Sequence, residues 1–413
     1  MSDLHSQAMN LKSRVDKDMR SIQRVSIVTE TFYPEINGVA NTLKFLLDGL
    51  IKKGLSVQII RPKQHALDSP KDDGNVQVVT IPGLPIPGYK QLKFGLPFRR
   101  KISRALNQFN SEALYIATEG PLGIAALIAA KKSNIPVLSG FHTNFHQYFE
   151  HYHLAFLKRL VFRYLRAFHN ATARTLVPTN CLMKELSAQG FRQVQVMSRG
   201  IDSELFSPVK RSLQLRSNWG VGSDDPVVLY VGRIAQEKNI LLAMQSFDTF
   251  KRLQPNGKMV LVGDGPMRKA LELAYPEAIF AGELRGELLA QYYASADIFL
   301  FPSLTDTFGN VVLEAMASGL HVLGFDYAAP GTLIQKGFNG SLAKLGNESD
   351  FIEKLEYIAL SWKTNSLIRE HARETSKNLS WDVISEQFLK QFQMIKEELS
   401  DGSRQKSISI PKV

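Results

Sequence analysis

"RVSIVTETFYPEINGVANTL", residues 24–43, decides the fold class. Its opening, "RVSIVT", is a β-branched run of the kind that fills a parallel strand buried on both faces. A loop follows, and then an amphipathic helix is expected from Asn37 to Lys53. Asn37 is a good N-cap, Gly38 permits close backbone approach, and the helix start carries the positive end of its dipole. Taken alone, this is a capped helix with an ordinary glycine. The loop is not Gly-x-Gly-x-x-Gly, so the dinucleotide fingerprint is missing where a first strand would show it.

The same alternation continues outward. "SVQII" (56–60), "ALYIAT" (113–118), "IPVLSG" (135–140) and "RTLVP" (174–178) repeat the strand signal, mostly with helical stretches between them. Periodicity lapses at "RGIDSELFSPVKRS" (199–212). It resumes with "PVVLYVGR", "KMVLVGDG", "EAIFAG", "DIFLFPS" and "HVLGF". Strands alternating with helices predict doubly wound parallel sheets, here two Rossmann-like halves. The expected divisions are a polar tail over 1–22, a first Rossmann-like domain over 23–204, a second over 205–400 and a flexible tail over 401–413. "WDVISEQFLKQFQMIKEEL" reads as an amphipathic helix after the last strand, able to pack on either domain. In such sheets ligands bind beyond the carboxyl ends of the strands, so loops after strands, facing across an interdomain cleft, are where chemistry is expected.

The composition suits a two-domain globular protein, with 413 residues, 44% hydrophobic and 22% charged. Residues 1–22 lack an apolar core, so no signal peptide is expected. No apolar run is long enough to span a bilayer. One cysteine, Cys181, excludes an internal disulfide framework and fits a cytoplasmic location. The net charge of +11 is uneven: residues 1–200 carry +14 and residues 201–413 carry −3. Two basic stretches with interleaved aromatics account for much of this, "YKQLKFGLPFRRKISR" (89–104) and "FLKRLVFRYLRAFH" (156–169). Either can meet an anionic membrane surface or be a solvated basic face. No nucleic-acid motif accompanies the charge, so nucleic acid is not expected as a partner.

Individual motifs are ambiguous. "GDGP" (263–266) is a lone Gly-x-Gly, more often a turn than a ligand loop. "SGFHTNFHQYFEHYH" (139–153) holds His142 just after a strand, while His146, His151 and His153 read as a polar aromatic loop and not as metal ligands. Arg233 and Lys238 follow a strand and could neutralise a diphosphate, or could be solvated bases beside Glu237. "SLTDTFGNVVLEAMASG" (303–319) sets Asp306 in a loop and Glu314 in a helix opened by Phe308, Gly309 and Asn310. Walker A, Gly-x-Ser-x-Gly, Cys-x-x-Cys and a credible Asp-x-Asp site are all missing, so neither a cofactor nor a metal is expected. What remains is transfer chemistry with fixed cations and helix dipoles stabilising a departing diphosphate.

Taken in order, "TETFYPEINGVANTL", "TEGPLG", "SGFHTNF", "VGRIAQEK", "GDGP" and "TDTFGNVVLEAMASG" resemble family 4 glycosyltransferases of the GT-B fold, over nearly the whole chain. The wording around His142 is most similar to GDP-mannose-dependent α-mannosyltransferases and sulfoquinovosyl-diacylglycerol synthases. The resemblance implies a metal-independent, retaining transfer of a hexose from a nucleoside diphosphate sugar. It implies that Gly38 approaches the diphosphate and sugar, and that His142 lies beside the donor sugar. It assigns Arg233 and Lys238 to the departing diphosphate, Asp306 to sugar hydroxyls and Glu314 to the ribose. Gly263 and Gly265 would line the donor, and the helix start at Phe308, Gly309 and Asn310 would face the diphosphate. The family's usual residue at Asp306 is Glu, so this acid is shorter by one methylene. The expected partners are a nucleotide-sugar donor and a lipid or glycan acceptor, at the inner face of the cell membrane. A soluble or polysaccharide acceptor, a non-catalytic sugar-nucleotide binder and a nicotinamide oxidoreductase are the alternatives, the last disfavoured by the missing fingerprint.

Overall fold

The computed structural model of the protein describes residues 22–408 except 34, 36, 65–67, 69–70, 87–88 and 143–154. Its first sheet comprises β1 (Arg24–Val28), β2 (Ser56–Pro62), β3 (Lys71–Asp72), β4 (Val76–Ile81), β7 (Ala113–Ile116), β8 (Val137–Gly140), β9 (Arg174–Val177) and β10 (Val194–Val196). The strand order is β10-β9-β8-β7-β1-β2-β4-β3, and β3 runs antiparallel to β4. A hairpin of β5 (Gly83–Ile86) and β6 (Tyr89–Gly95) stands outside this sheet. The second sheet, all parallel, comprises β11 (Val227–Val231), β12 (Lys258–Val262), β13 (Ile279–Gly282), β14 (Ile298–Phe301), β15 (His321–Phe325) and β16 (Ser341–Ala343). Its order is β13-β12-β11-β14-β15-β16. The chain divides into two compact units, residues 1–140 with 168–174 and 385–413, and residues 141–167 with 175–384.

Every strand read from the sequence forms. The second sheet is covered on both faces, and β11 shows why its five residues are all apolar. Val227, Leu229 and Val231 enter one core with Val312 and Met316, while Val228 and Tyr230 enter the other with Ile240 and Phe247. Most of the missed elements have weak signals: β3 has two residues, β10 and β16 three each, and β5 carries Gly83 and Pro85. β4 was missed despite a clear one, since "VQVVTI" is a six-residue run rich in β-branched residues.

Both sheets have a topological switch point, where successive strands leave in opposite directions. In the second sheet it lies between β11 and β14, so the loops after these strands are neighbours at the carboxyl edge. In the first it lies between β1 and β7. There the Glu30 N–H donates to Thr118 Oγ1 at 2.8 Å, and the Glu30 carboxylate accepts from the backbone N–H groups of Gly95 and Leu122. Burial pushes the Glu30 carboxyl up to about 7, partly opposed by those two hydrogen bonds.

The final helix spans Trp381–Ile408, continuing past Leu399, where its amphipathic pattern ends, into the stretch expected to be a flexible tail. Gln, Lys, Arg and Ser there are all compatible with a helix. Of the two packing choices left open by the sequence, residues 385 onward belong with the first unit. Phe388 meets Tyr115 of β7 edge-on at 5.1 Å, and Arg174 of β9 donates to Gln391 at 2.9 Å and pairs with Glu398. Phe388 and Phe392 are fully buried, worth about 3–6 kcal/mol together in apolar area removed from water.

Candidate active site

The second sheet's switch point brings together two residues that are 68 positions apart in sequence. Lys238 ends a short 3-10 turn, Gln236–Lys238, after β11, and Asp306 lies in the loop after β14. Lys238 Nζ donates to Asp306 Oδ1 at 2.7 Å, with the side chains 25% and 20% exposed. Thr305 Oγ1, donating to the Glu237 carbonyl at 2.9 Å, ties the same two loops together. The second carboxylate oxygen, Asp306 Oδ2, is buried without a hydrogen-bond partner among the described residues. An ionised oxygen in that position is costly unless something donates to it. A ligand hydroxyl would do so.

Glu314 projects from the helix Asn310–Ala317. Tyr293 Oη donates to Glu314 Oε2 at 2.8 Å. The carboxyl keeps some solvent exposure but is closely surrounded by protein. Burial raises it to about 7, against the lowering effect of the Tyr293 hydrogen bond. Tyr293 itself is fully buried, and burial beside Glu314 pushes its hydroxyl well above 10, so it remains a donor. No side chain caps this helix. Gly309, its N-cap, has φ +98°, and a Cβ there would lie 2.6 Å from Phe301 Cζ, so both backbone and space demand glycine. The Phe308 side chain is 4% exposed and belongs to the core with Phe301 and Val312. The part expected of Phe308, at the helix start facing the diphosphate, falls to its backbone, since its ring is in the core.

The loops after β11, β12 and β13 line an open pocket of about 640 Å³. Gly232 and Arg233, Gly263 to Gly265, and Glu283 to Arg285 contribute. Gly263 and Gly265 are there because the loops nearly touch. A Cβ on Gly263 would lie 2.0 Å from the Gly232 carbonyl oxygen, and one on Gly265 2.3 Å from that of Ile234. Their first duty is thus close packing, and their loop forms a pocket wall as a consequence. Arg233 is 64% exposed and paired with Glu237 at 2.8 Å, while Lys238 is committed to Asp306. Arg233 fits the solvated-base reading and Lys238 does not. Glu283, Leu284 and Arg285 were missed by sequence reasoning, although "GELRGE" directly after a strand was the available signal.

His142 stands two residues past β8, and its Nδ1 is 2.7 Å from Arg199 Nη2. Arg199 too was missed, because it falls in the aperiodic stretch. Thr143 to Leu154, with His146, His151 and His153, lie outside the described residues. In the first unit, Asn37 caps the helix Gly38–Lys52 through Val39 N–H and Ala40 N–H, as its sequence predicts. A Cβ on Gly38 would meet nothing within 4 Å among the described residues, so their packing does not require this glycine. Among the described residues, no three or more His, Cys, Asp or Glu are grouped to hold a metal ion.

The two basic stretches differ in structure. Residues 89–95 form β6, and Arg99–Phe109 is a helix that buries Ile102, Ala105 and Leu106 while exposing Arg99, Arg100, Lys101 and Arg104. The second stretch lies in the helix Ala155–His169, which buries Leu165 and exposes Leu160 and Tyr164 beside Arg159, Arg163 and Arg166. No helix among the described residues is long and apolar enough to cross a membrane.

Comparison with known proteins places this geometry in a family. Residues 36–205 match the family described as Glycosyltransferase Family 4, and residues 213–375 match Glycosyl transferases group 1. The chain is 33% identical to a GDP-mannose-dependent alpha-mannosyltransferase of Corynebacterium glutamicum over 89% of this chain and 88% of that one. It is 29% identical to the sulfoquinovosyl transferase SQD2 of Arabidopsis thaliana over 87% and 71%. Among solved structures, sucrose-phosphate synthase from Thermosynechococcus elongatus superposes with a TM-score of 0.71 at 17% identity, over 91% of this chain and 100% of that one. Two parallel Rossmann-like sheets, a final helix and these matches together establish that the chain belongs to glycosyltransferase family 4, with the GT-B fold.

Proposed function

We propose that the protein is a hexosyltransferase that moves a hexose from a nucleoside diphosphate sugar to a lipid or lipid-linked acceptor, with retention at the anomeric carbon and without a metal. Mannose is the favoured sugar, in line with the mannosyltransferase it is 33% identical to, and glucose is the next candidate. The observation that carries the reading is the Lys238–Asp306 pair with its unpartnered, buried Asp306 Oδ2. In this reading a sugar hydroxyl donates to Asp306. Lys238, with Arg233 released from Glu237, offsets the charge growing on the departing diphosphate, aided by the uncapped helix start at Gly309 and Asn310. Glu314 accepts from the ribose hydroxyls, and the pocket beside Gly263 and Gly265 takes the nucleotide's base. Gly38 serves the diphosphate and His142 the transferring sugar, as the family resemblance implies.

The acceptor is proposed to be met at an anionic membrane surface on the cytoplasmic side. Exposed Leu160 and Tyr164 among exposed arginines favour an interfacial helix over a merely solvated one. The test is to incubate the protein with GDP-mannose, UDP-glucose and related donors, with a lipid extract or with soluble glycans, and to identify the nucleoside diphosphate released and the product. A glycosylated lipid is the expected result. Products found only on soluble glycans would replace the acceptor, and donor binding without turnover or hydrolysis would reduce the protein to a binding module. Sedimentation with anionic liposomes at low salt, reversed at high salt, is expected of the membrane part, and indifference at every ionic strength would remove it.

A further inference from the structure

Arg199 and His142 are held against each other by anchors on both sides. The Phe141 N–H donates to the Leu176 carbonyl at 2.9 Å and the Met197 N–H to the Val177 carbonyl at 2.8 Å, so both segments hang from β9. Beyond Arg199, Gly200 is pressed on Trp381, where a Cβ would lie 2.4 Å from the indole Cδ2. The Ile201 N–H donates to the Leu379 carbonyl at 2.9 Å. Arg199 is 7% exposed, and its short tether leaves little travel for the guanidinium.

A guanidinium has donors only and stays protonated at any working pH. At 2.7 Å from Arg199 Nη2, the His142 Nδ1 must therefore be the acceptor. An imidazole that accepts at Nδ1 carries its proton on Nε2. A second proton, on Nδ1, would break the bond and set two cations against each other. We propose that Arg199 is a positioning residue that holds His142 as the neutral, Nε2-protonated imidazole, so that His142 serves the transfer as a hydrogen-bond donor and not as a base. This rests on the reading that His142 lies at the transferring sugar. It makes a specific claim about the chemistry there: with no lone pair available on Nε2, His142 does not take the acceptor's proton.

The test uses the full chain with 15N-labelled histidine, the His142 signals being assigned by their loss in His142→Gln. The wild type is expected to show an unprotonated Nδ1 and a protonated Nε2. Arg199→Met is expected to show mixed tautomers and a kcat at least tenfold lower, with the donor KM changed less than threefold. Arg199→Lys, which keeps a donor-only cation, is expected to restore the tautomer pattern and part of kcat. A protonated Nδ1 in the wild type would overturn the proposal, and so would an Arg199→Met enzyme with the wild-type pattern and rate. Should Arg199→Met not fold, the wild-type spectrum and Arg199→Lys still decide it. Near-wild-type turnover by His142→Gln would instead remove the role of His142 at the sugar, leaving the tautomer to be judged by the spectrum alone.

Discussion

Replacing Glu314 by Gln is predicted to stabilise the ligand-free protein while weakening nucleotide binding. In the folded protein the Glu314 carboxyl titrates near 7, because burial penalises its charged form, against an ordinary value of 4.5. A carboxyl raised on folding holds its proton longer in the folded state than in the unfolded one. Below about pH 4.5 both states are protonated and the group contributes nothing. Between 4.5 and 7 the unfolded chain ionises first, and above 7 the folded protein carries the whole cost, on the order of 3 kcal/mol. Glutamine keeps the shape and can still accept from Tyr293 Oη, but it never ionises. Thermal unfolding without nucleotide should therefore show Glu314→Gln more stable than wild type by roughly 6–12 °C at pH 8, narrowing to a quarter or less of that near pH 5. Comparing the two proteins isolates Glu314 from Glu30, which also titrates near 7 and has the same sign. Ribose hydroxyls would donate to the ionised acid, so calorimetry should show wild-type affinity for nucleoside diphosphate falling as pH drops through 7. At pH 8, Glu314→Gln should bind roughly 10- to 100-fold more weakly, the worth of hydrogen bonds to a charged group. A variant less stable than wild type at pH 8, or an offset independent of pH, would refute the argument.

Four further outcomes are expected. Lys238→Ala should remain folded by circular dichroism, since the side chain is part-exposed, but lose roughly 10²- to 10³-fold in kcat, as removal of a preorganised charge-stabilising group does. Gly38→Ala should leave the melting temperature unchanged or slightly raised while raising the donor KM, because its Cβ meets nothing among the described residues. Gly263→Ala, at φ +133° with the Gly232 carbonyl 2.0 Å from the new Cβ, should lower the melting temperature measurably. Asp306→Glu, which adds one methylene of reach, should change the ratio of turnover with GDP-mannose to that with UDP-glucose more than it changes their sum.

Much of this was legible in the sequence because its signals are local. Buried parallel strands are continuous β-branched runs, and Asn37 before a periodic stretch is a capped helix whatever surrounds it. Once two such sheets are recognised, the rule that ligands gather at strand ends points to the segments holding Lys238, Asp306 and Gly263. What stayed hidden depends on distant neighbours. "VGRIAQEK" shows Arg233 four residues before Glu237, but nothing in it says that Lys238 would pair with Asp306. Tyr293 gives no sign of its bond to Glu314, nor Arg199 of its bond to His142, since each contact is made by strand order and not by spacing. Phe308 shows the converse: it sits inside the motif, and nothing in the motif's spacing says that its ring joins the core with Phe301 and Val312.

The central claim is a retaining sugar transfer supported by Lys238 and Asp306 at the second sheet's switch point. Its most direct measurement is the anomeric configuration of the product, read by proton NMR, from an α-linked nucleoside diphosphate hexose in the presence of EDTA. The account predicts an α-linked product at undiminished rate, and its loss in Lys238→Ala. A β-linked product, or turnover that returns only on adding a divalent metal, would contradict it.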